Sequence, residues 1–275
     1  MTSTCYPSDL TDGQWEVLEP LLARPTKRGR PRQVPLRAIV NAILYVNRSG
    51  CQWRMLPRDF PKWTAVYSTF RRWQRDGTWQ RAHDALRTKV RVQAGRAETP
   101  SAASIDSQSV KTTEAGGARG FDMGKKVKGR KRHIAVDTLG LLLTVVVLSA
   151  GVQDGEAAPQ VAAELTRQGC PRLRVLWADS AYGRYEFPAW VGKRCHFRLE
   201  VLHRPAGVKG FRVIAKRWVV ERTFAWLGRC RRNAKDYERL PCVSEAMIRV
   251  SMTKLMLARL SPSKTEETFR YRVAS

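Results

Sequence analysis

The sequence predicts a small all-helical region followed by an α/β region, and three observations carry that prediction. Through residue 95, apolar side chains recur at helical spacing between Gly and Pro breaks. A small, polar stretch (AGRAETPSAAS) follows and reads as a linker. Beyond it the period changes to short apolar runs of strand length that later alternate with helical segments. A chain of 275 residues accommodates two domains, and 43% apolar content is ample for packed cores. The expected division is 1–95, a linker at 96–104, and 105–275, with 1–95 folding on its own.

Thr11 is placed to cap the first helix, with Gln14 at the capping-box position and Trp15, Leu18, Leu21 and Leu22 at helical spacing. In Lys27-Arg28-Gly29-Arg30-Pro31-Arg32, Gly and Pro forbid a regular element. It reads as an exposed basic loop whose Arg28, Arg30 and Arg32 contact a phosphate backbone. Pro35 suits the first turn of a second helix over 36–47, which Ser49-Gly50 ends. Helices at 63–75 and 78–92 follow, broken by Gly77.

In the second region, 103–110 reads as a strand, and 114–130 as too rich in Gly and Lys for an element. Strands at 131–137 and 141–149 flank a hairpin turn, Asp137-Thr138-Leu139-Gly140, with glycine at the left-handed position. A helix at 156–168, a buried strand at 173–178, a short helix at 184–191, a strand at 197–202 and long helices at 213–231 and 243–260 complete the chain. Three hairpin-joined strands followed by alternating helix and strand is the order of an RNase H-like fold. Periodicity alone does not separate it from other α/β folds.

Lys and Arg total 50 against 24 Asp and Glu, a formal charge of +26. The excess is spread, +10 through residue 95 and +16 beyond, so both regions feel the field of a polyanion. That excludes an ordinary metabolic enzyme and points to nucleic acid, with an anionic membrane a distant second. The greasiest stretch, 139–150, is shorter than the about 20 residues of a membrane helix. No signal peptide opens the chain, so a cytoplasmic protein is expected. The six cysteines form no CxxC pair, as reduced thiols would not. There is no GxxxxGK[ST] loop, so ATP is not expected.

Three acids stand out by position. Asp106 lies inside an apolar strand, where a carboxylate is costly unless paired or bound to a cation. Asp179 ends the apolar run Val175-Leu176-Trp177-Ala178, at the strand end where α/β sheets place ligands. Glu221 flanks the core stripe Val220, Phe224 and Leu227 of a basic helix. Each has an ordinary alternative: an Asx turn, a helix cap, an ion pair with Arg217 or Arg222. Hard oxygen ligands gathered in a basic protein suggest Mg²⁺ or Mn²⁺ acting on phosphate.

Four motifs in the first region are Leu10-Thr11-Asp12-Gly13-Gln14-Trp15, Gly29-Arg30-Pro31-Arg32, the run from Ser49 to Pro57 (SGCQWRMLP) and Phe70-Arg71-Arg72-Trp73. Four in the second are Ile105-Asp106-Ser107 with Val110-Lys111, GRKRHIAVD from Gly129, Ala178-Asp179-Ser180-Ala181-Tyr182, and RWVVERTFAWL from Arg217. Together they resemble bacterial insertion-sequence transposases of the DDE class over nearly the whole chain. The resemblance implies an RNase H-like catalytic domain behind a helical DNA-binding domain. It implies Asp106, Asp179 and Glu221 as catalytic and metal-binding residues for Mg²⁺, with Mn²⁺ as a substitute and no ATP. Asp106 would bridge two metals, with Asp179 and Glu221 completing one each. The implied partners are double-stranded DNA, as terminal inverted repeats and target, and a second copy of the chain when two ends are synapsed.

Related transposases carry Tyr-x2-Arg-x3-Glu-x6-Lys around the glutamate. This chain keeps Arg217 and Glu221 but has Ile214 and Gly228 at the outer places, leaving Arg229, Arg231 or Arg232 to replace the lysine. Arg217, one helical turn before Glu221, is expected to hold a phosphate or orient the glutamate. Lys111, Lys125, Lys126, Lys128, Arg130, Lys131, Arg132 and Arg229 complete the expected DNA contacts.

Overall fold

The computed structural model describes residues 6–22, 33–183, 186–203 and 215–262. Arg28, Arg30 and Arg32 lie outside the described residues, as does Ile214. Helix α1 (Asp12–Leu22) starts where Thr11 Oγ1 accepts the Gln14 N–H at 3.2 Å. The Gln14 side chain does not close the capping box. It is buried, and donates to the Ser261 carbonyl while accepting from Lys254. Helix α2 (Leu36–Ser49) ends at Gly50, left-handed at φ 76°. Helices α3 (Trp63–Arg75) and α4 (Thr78–Gln93) follow.

The second region contains β1 (Ala102–Lys111), β2 (Gly120–Asp122), β3 (Val127–Asp137), β4 (Leu142–Ser149), α5 (Asp154–Arg167), β5 (Val175–Ala178), α6 (Phe187–Arg194), β6 (Arg198–Val201), α7 (Ala215–Gly228) and α8 (Pro241–Leu260). The strands form one mixed sheet in the order β2-β3-β1-β5-β6, with β4 also paired to β3. β3 runs antiparallel to β1, β2 and β4, while β1, β5 and β6 are mutually parallel. The segment expected to be irregular holds β2 and the start of β3. Gly129, which argued against a strand, permits one: a Cβ there would stand 2.0 Å from the Val110 carbonyl on β1.

The sheet is covered on both faces. Ala103, Ile105, Leu143 and Leu176 pack against Val161, Leu165 and Phe187 of α5 and α6. Ile134, Val136, Val145 and Val147 pack on Val220, Phe224 and Leu227 of α7 and on Ile248 and Met252 of α8. Helix α8 is apolar around much of its circumference because it serves two cores. Its Val243, Met247, Val250, Met256 and Leu257 enter the cluster formed by Leu18, Ile43, Phe70, Trp79 and Leu86 of the first four helices. Buried polar contacts fasten the same junction: Ser251 Oγ on α8 accepts from Asn47 and Asn233, each at 2.8 Å, and Arg91 pairs with Asp137. Among the described residues no helix is long and apolar enough to cross a membrane.

Candidate active site

The parallel pair β1/β5 brings Asp106 and Asp179 level. Its register sets Ser104 opposite Trp177. Two residues further along each chain come Asp106 and Asp179, at the carboxyl end of β5. Alternation along a strand keeps each on the same face as the residue two before it. That face carries α7: Ser104 Oγ donates to the Lys216 carbonyl at 2.5 Å, and Lys216 Nζ stands 4.9 Å from the Trp177 ring centroid.

Helix α7 supplies Glu221 and Arg217. Arg217 Nη2 lies 3.6 Å from Asp179 Oδ2 and 4.0 Å from Glu221 Oε1, so one guanidinium joins carboxylates from two elements. Arg222, the alternative partner of Glu221, stacks between Trp218 and Trp226 instead, 4.6 and 4.7 Å from their ring centroids. Asp106 Oδ1 accepts the Ser107 backbone N–H at 2.7 Å. Burial pushes the Asp106 carboxyl up to about 6 and the charge of Asp179 adds to this, against the Ser107 amide, Arg217 and Lys125.

The three acids do not form a closed cage. Among the described residues no three His, Cys, Asp or Glu side chains converge closely enough to hold a metal ion. The donor chemistry nonetheless suits a divalent cation. Two carboxylates crowd their charges, and the third sits on a side chain 45% exposed.

On the opposite face of β1, Ser107 Oγ donates to Asp154 Oδ1 at 2.8 Å. Lys131 Nζ lies 3.2 Å from that same oxygen and 3.6 Å from Asp122, and Tyr182 OH is 3.5 Å from His133. Burial drives His133 down to about 4, so its imidazole is neutral at pH 7. The sequence reading does not single out Asp154 or Asp122, and gives Tyr182 only as the end of the motif over 178–182. The available signal was strand alternation, which puts Lys131 and His133 on the face of Ser107.

Three residues expected to contact DNA are turned inward: Arg130, Lys131 and Arg132 are all buried. Arg130 donates to the carbonyls of Ala118, Glu238 and Arg239 and stands 3.3 Å from Asp236. Arg132 donates to the carbonyls of Asn233 and Lys235. These guanidinium groups staple residues 233–239 to the sheet, and Lys131 belongs to the Asp154 network. The run of charge seen in sequence is a strand with two buried faces. Lys111, Lys125, Lys126, Lys128 and Arg229 are exposed. Lys125 Nζ reaches the Ser107 carbonyl at 3.1 Å, which sets the β2–β3 hairpin beside the acids.

Comparison with known proteins places these features in a family context. Residues 97–255 match the family model described as "Transposase DDE domain". Residues 10–83 match the one described as "Putative transposase of IS4/5 family". An insertion element IS402 uncharacterized 16.2 kDa protein of Burkholderia cepacia is 34% identical over 113 residues, covering 39% of this chain and 76% of that protein.

Proposed function

The chain belongs to the family of transposases with a DDE domain, and from that premise we propose that it moves its own insertion element. It binds the terminal inverted repeats, hydrolyses a phosphodiester at each end and directs the freed 3′-hydroxyl at target DNA. The observation that carries this reading is that Asp106, within β1, stands level with Asp179, just past the carboxyl end of the adjacent parallel strand β5, while Arg217 of α7 links Asp179 to Glu221. The sheet, with β4, β3 and β1 antiparallel neighbours, β2 added on β3, and β5 and β6 continuing parallel to β1, supports an RNase H-like domain over residues 105–275. The DNA-binding role of 1–95 is part of the proposal, and the linker expected at 96–104 ends earlier, before β1 begins at Ala102.

Asp106, Asp179 and Glu221 are the residues that would hold the metal. Mg²⁺ or Mn²⁺ bound there supplies charge neutralisation of the phosphate and a water of lowered pKa. The chain's own part is positional. Arg217, now shared by two carboxylates, has planar geometry suited to a phosphate oxygen pair. The Ser107 amide fixes the orientation of Asp106. Exposed Lys125, Lys126 and Lys128 line the approach with positive charge. A second copy of the chain is needed to hold the second end.

The test is single-turnover cleavage and strand transfer on labelled duplex carrying the element's ends, with Mg²⁺ or Mn²⁺. Asp106→Asn, Asp179→Asn and Glu221→Gln should each abolish both steps while end binding survives, because phosphate affinity comes mainly from basic residues. Near-normal strand transfer by any one of the three would overturn the assignment.

A further inference from the structure

We propose that the cleft between the end of α2 and the end of α7 is a DNA-backbone phosphate site, built jointly by the helical region and the catalytic region. The cleft is about 350 Å³ and is lined by Tyr6, Ser8, Tyr45, Arg48, Arg229 and Arg231. The three arginines are exposed, and none forms an ion pair with a carboxylate among the described residues. Arg48 spends one N–H on the Arg229 backbone carbonyl at 2.8 Å, and both residues line the same cleft. Gly50 fixes the third. Its left-handed backbone ends α2, and a Cβ there would stand 3.0 Å from Arg231 Cβ.

Ser8 supplies an independent observation. It is 7% exposed, it lines the cleft, and its Oγ has no hydrogen-bond partner among the described residues. A buried hydroxyl left unpaired costs free energy that a ligand oxygen recovers. The wall behind it is rigid: Tyr6, Tyr45 and Phe60 form an aromatic cluster with ring centroids 4.8 to 5.1 Å apart. The C-termini of α2 and α7 each bring about half a negative charge, which three guanidinium groups outweigh. What fits is a small anion with several acceptor oxygens on a chain long enough to reach the acids.

Gly228 lies seven helical steps beyond Glu221 on α7, about 10 Å at 1.5 Å per residue. One DNA strand advances that far in about three nucleotides. This proposal rests on the DNA-cutting function, and adds that a phosphate within about 2–5 nucleotides of the cut sits between Arg48, Arg229 and Arg231.

Ethylation interference on end-bearing duplex with the intact protein tests it. In the Arg48→Gln/Arg231→Gln variant, one or two adjacent phosphates near the cut should cease to interfere. The slope of log affinity against log salt should fall by about 1 for each phosphate lost. Ser8→Ala gives a second readout. It should weaken end binding several-fold without lowering the melting temperature, because no hydrogen bond to a described residue is lost; a structural serine would lower it. An unchanged interference pattern, or a uniform loss of affinity with no particular phosphate affected, overturns the site. Wild-type protein that shows interference unaltered by the variants loses this cleft alone. Wild-type protein that shows no interference anywhere loses the DNA reading too.

Discussion

Asp106 shows how a site residue works against the fold that holds it. Its carboxyl ordinarily ionises near 3.8 but is pushed up to about 6 in the folded chain. Between those pH values the unfolded chain has lost its proton while the native one keeps it, so stability falls as pH rises through the window and stays low above it. Asp106→Asn should therefore stabilise the metal-free protein at pH 7, on the order of 1–2 kcal/mol, and hardly at all at pH 4. Urea unfolding at the two pH values measures this; equal gains at both would show that the carboxylate is not strained. Arg217 makes the second residue-scale prediction. A plain i,i+4 pair would be largely preserved by lysine, at a cost of about 0.2–0.5 kcal/mol. A guanidinium touching two carboxylates, and poised for a phosphate, would not be replaced so easily. Arg217→Lys should slow single-turnover cleavage on the order of 100-fold at saturating DNA, with binding little changed. A rate within a few-fold of wild type would reduce Arg217 to a helix-surface partner. Both residues were legible in the sequence because a carboxylate in an apolar strand, and an arginine one turn from a glutamate, are local patterns. The bond from Arg217 to Asp179 was not, since it joins two elements.

The β2–β3 hairpin and the strand it feeds divide one basic run into two kinds of charge. Lys126 and Lys128 face solvent, whereas Arg130 is fully buried against Asp236 and three carbonyls. Lys126→Gln and Lys128→Gln should each lower the salt slope of DNA binding by about 1 and leave the melting temperature alone. Arg130→Met should instead unfold the protein more easily, by about 3–5 kcal/mol, because it strands a buried carboxylate. Salt-titrated binding and thermal melts on the same three proteins separate the classes; a soluble, fully stable Arg130→Met would contradict the buried staple. Sequence could not sort these charges. Gly129 and the lysines suppress strand propensity, and the partners of Arg130 and Arg132 lie at residues 233–239, about a hundred positions away. The helix starts and the Gly50 and Gly140 turns were legible because their causes are local.

For the whole molecule, the largest departure from the sequence reading is that the first four helices do not close their own core. Six apolar side chains of α8 enter it, and burying each of the five larger than alanine stabilises by about 1.5–3 kcal/mol. That sum rivals the entire stability of a small domain, about 5–15 kcal/mol. A fragment of residues 1–95, which periodicity presents as self-sufficient, should be poorly folded and bind a hydrophobic dye. Joining residues 241–260 to it through a flexible linker should restore a cooperative melt. A cooperative transition in the 1–95 fragment alone would show that α8 merely covers a finished core. The segment 241–260 reads correctly as an apolar helix from sequence. Its having two hosts could not be read, because periodicity reports which faces are greasy and not what they meet.

That arrangement also sets a clock. On the ribosome, roughly 150 residues separate the end of α4 from the start of α8, about 7–30 s of synthesis at ordinary elongation rates. Throughout that interval the helices at the front of the chain wait with an open core. They mature in the same moment as the strands and helices that carry the acids. A message terminated before α8 thus yields a product in which neither the core of the first four helices nor the α7 face of the sheet is closed.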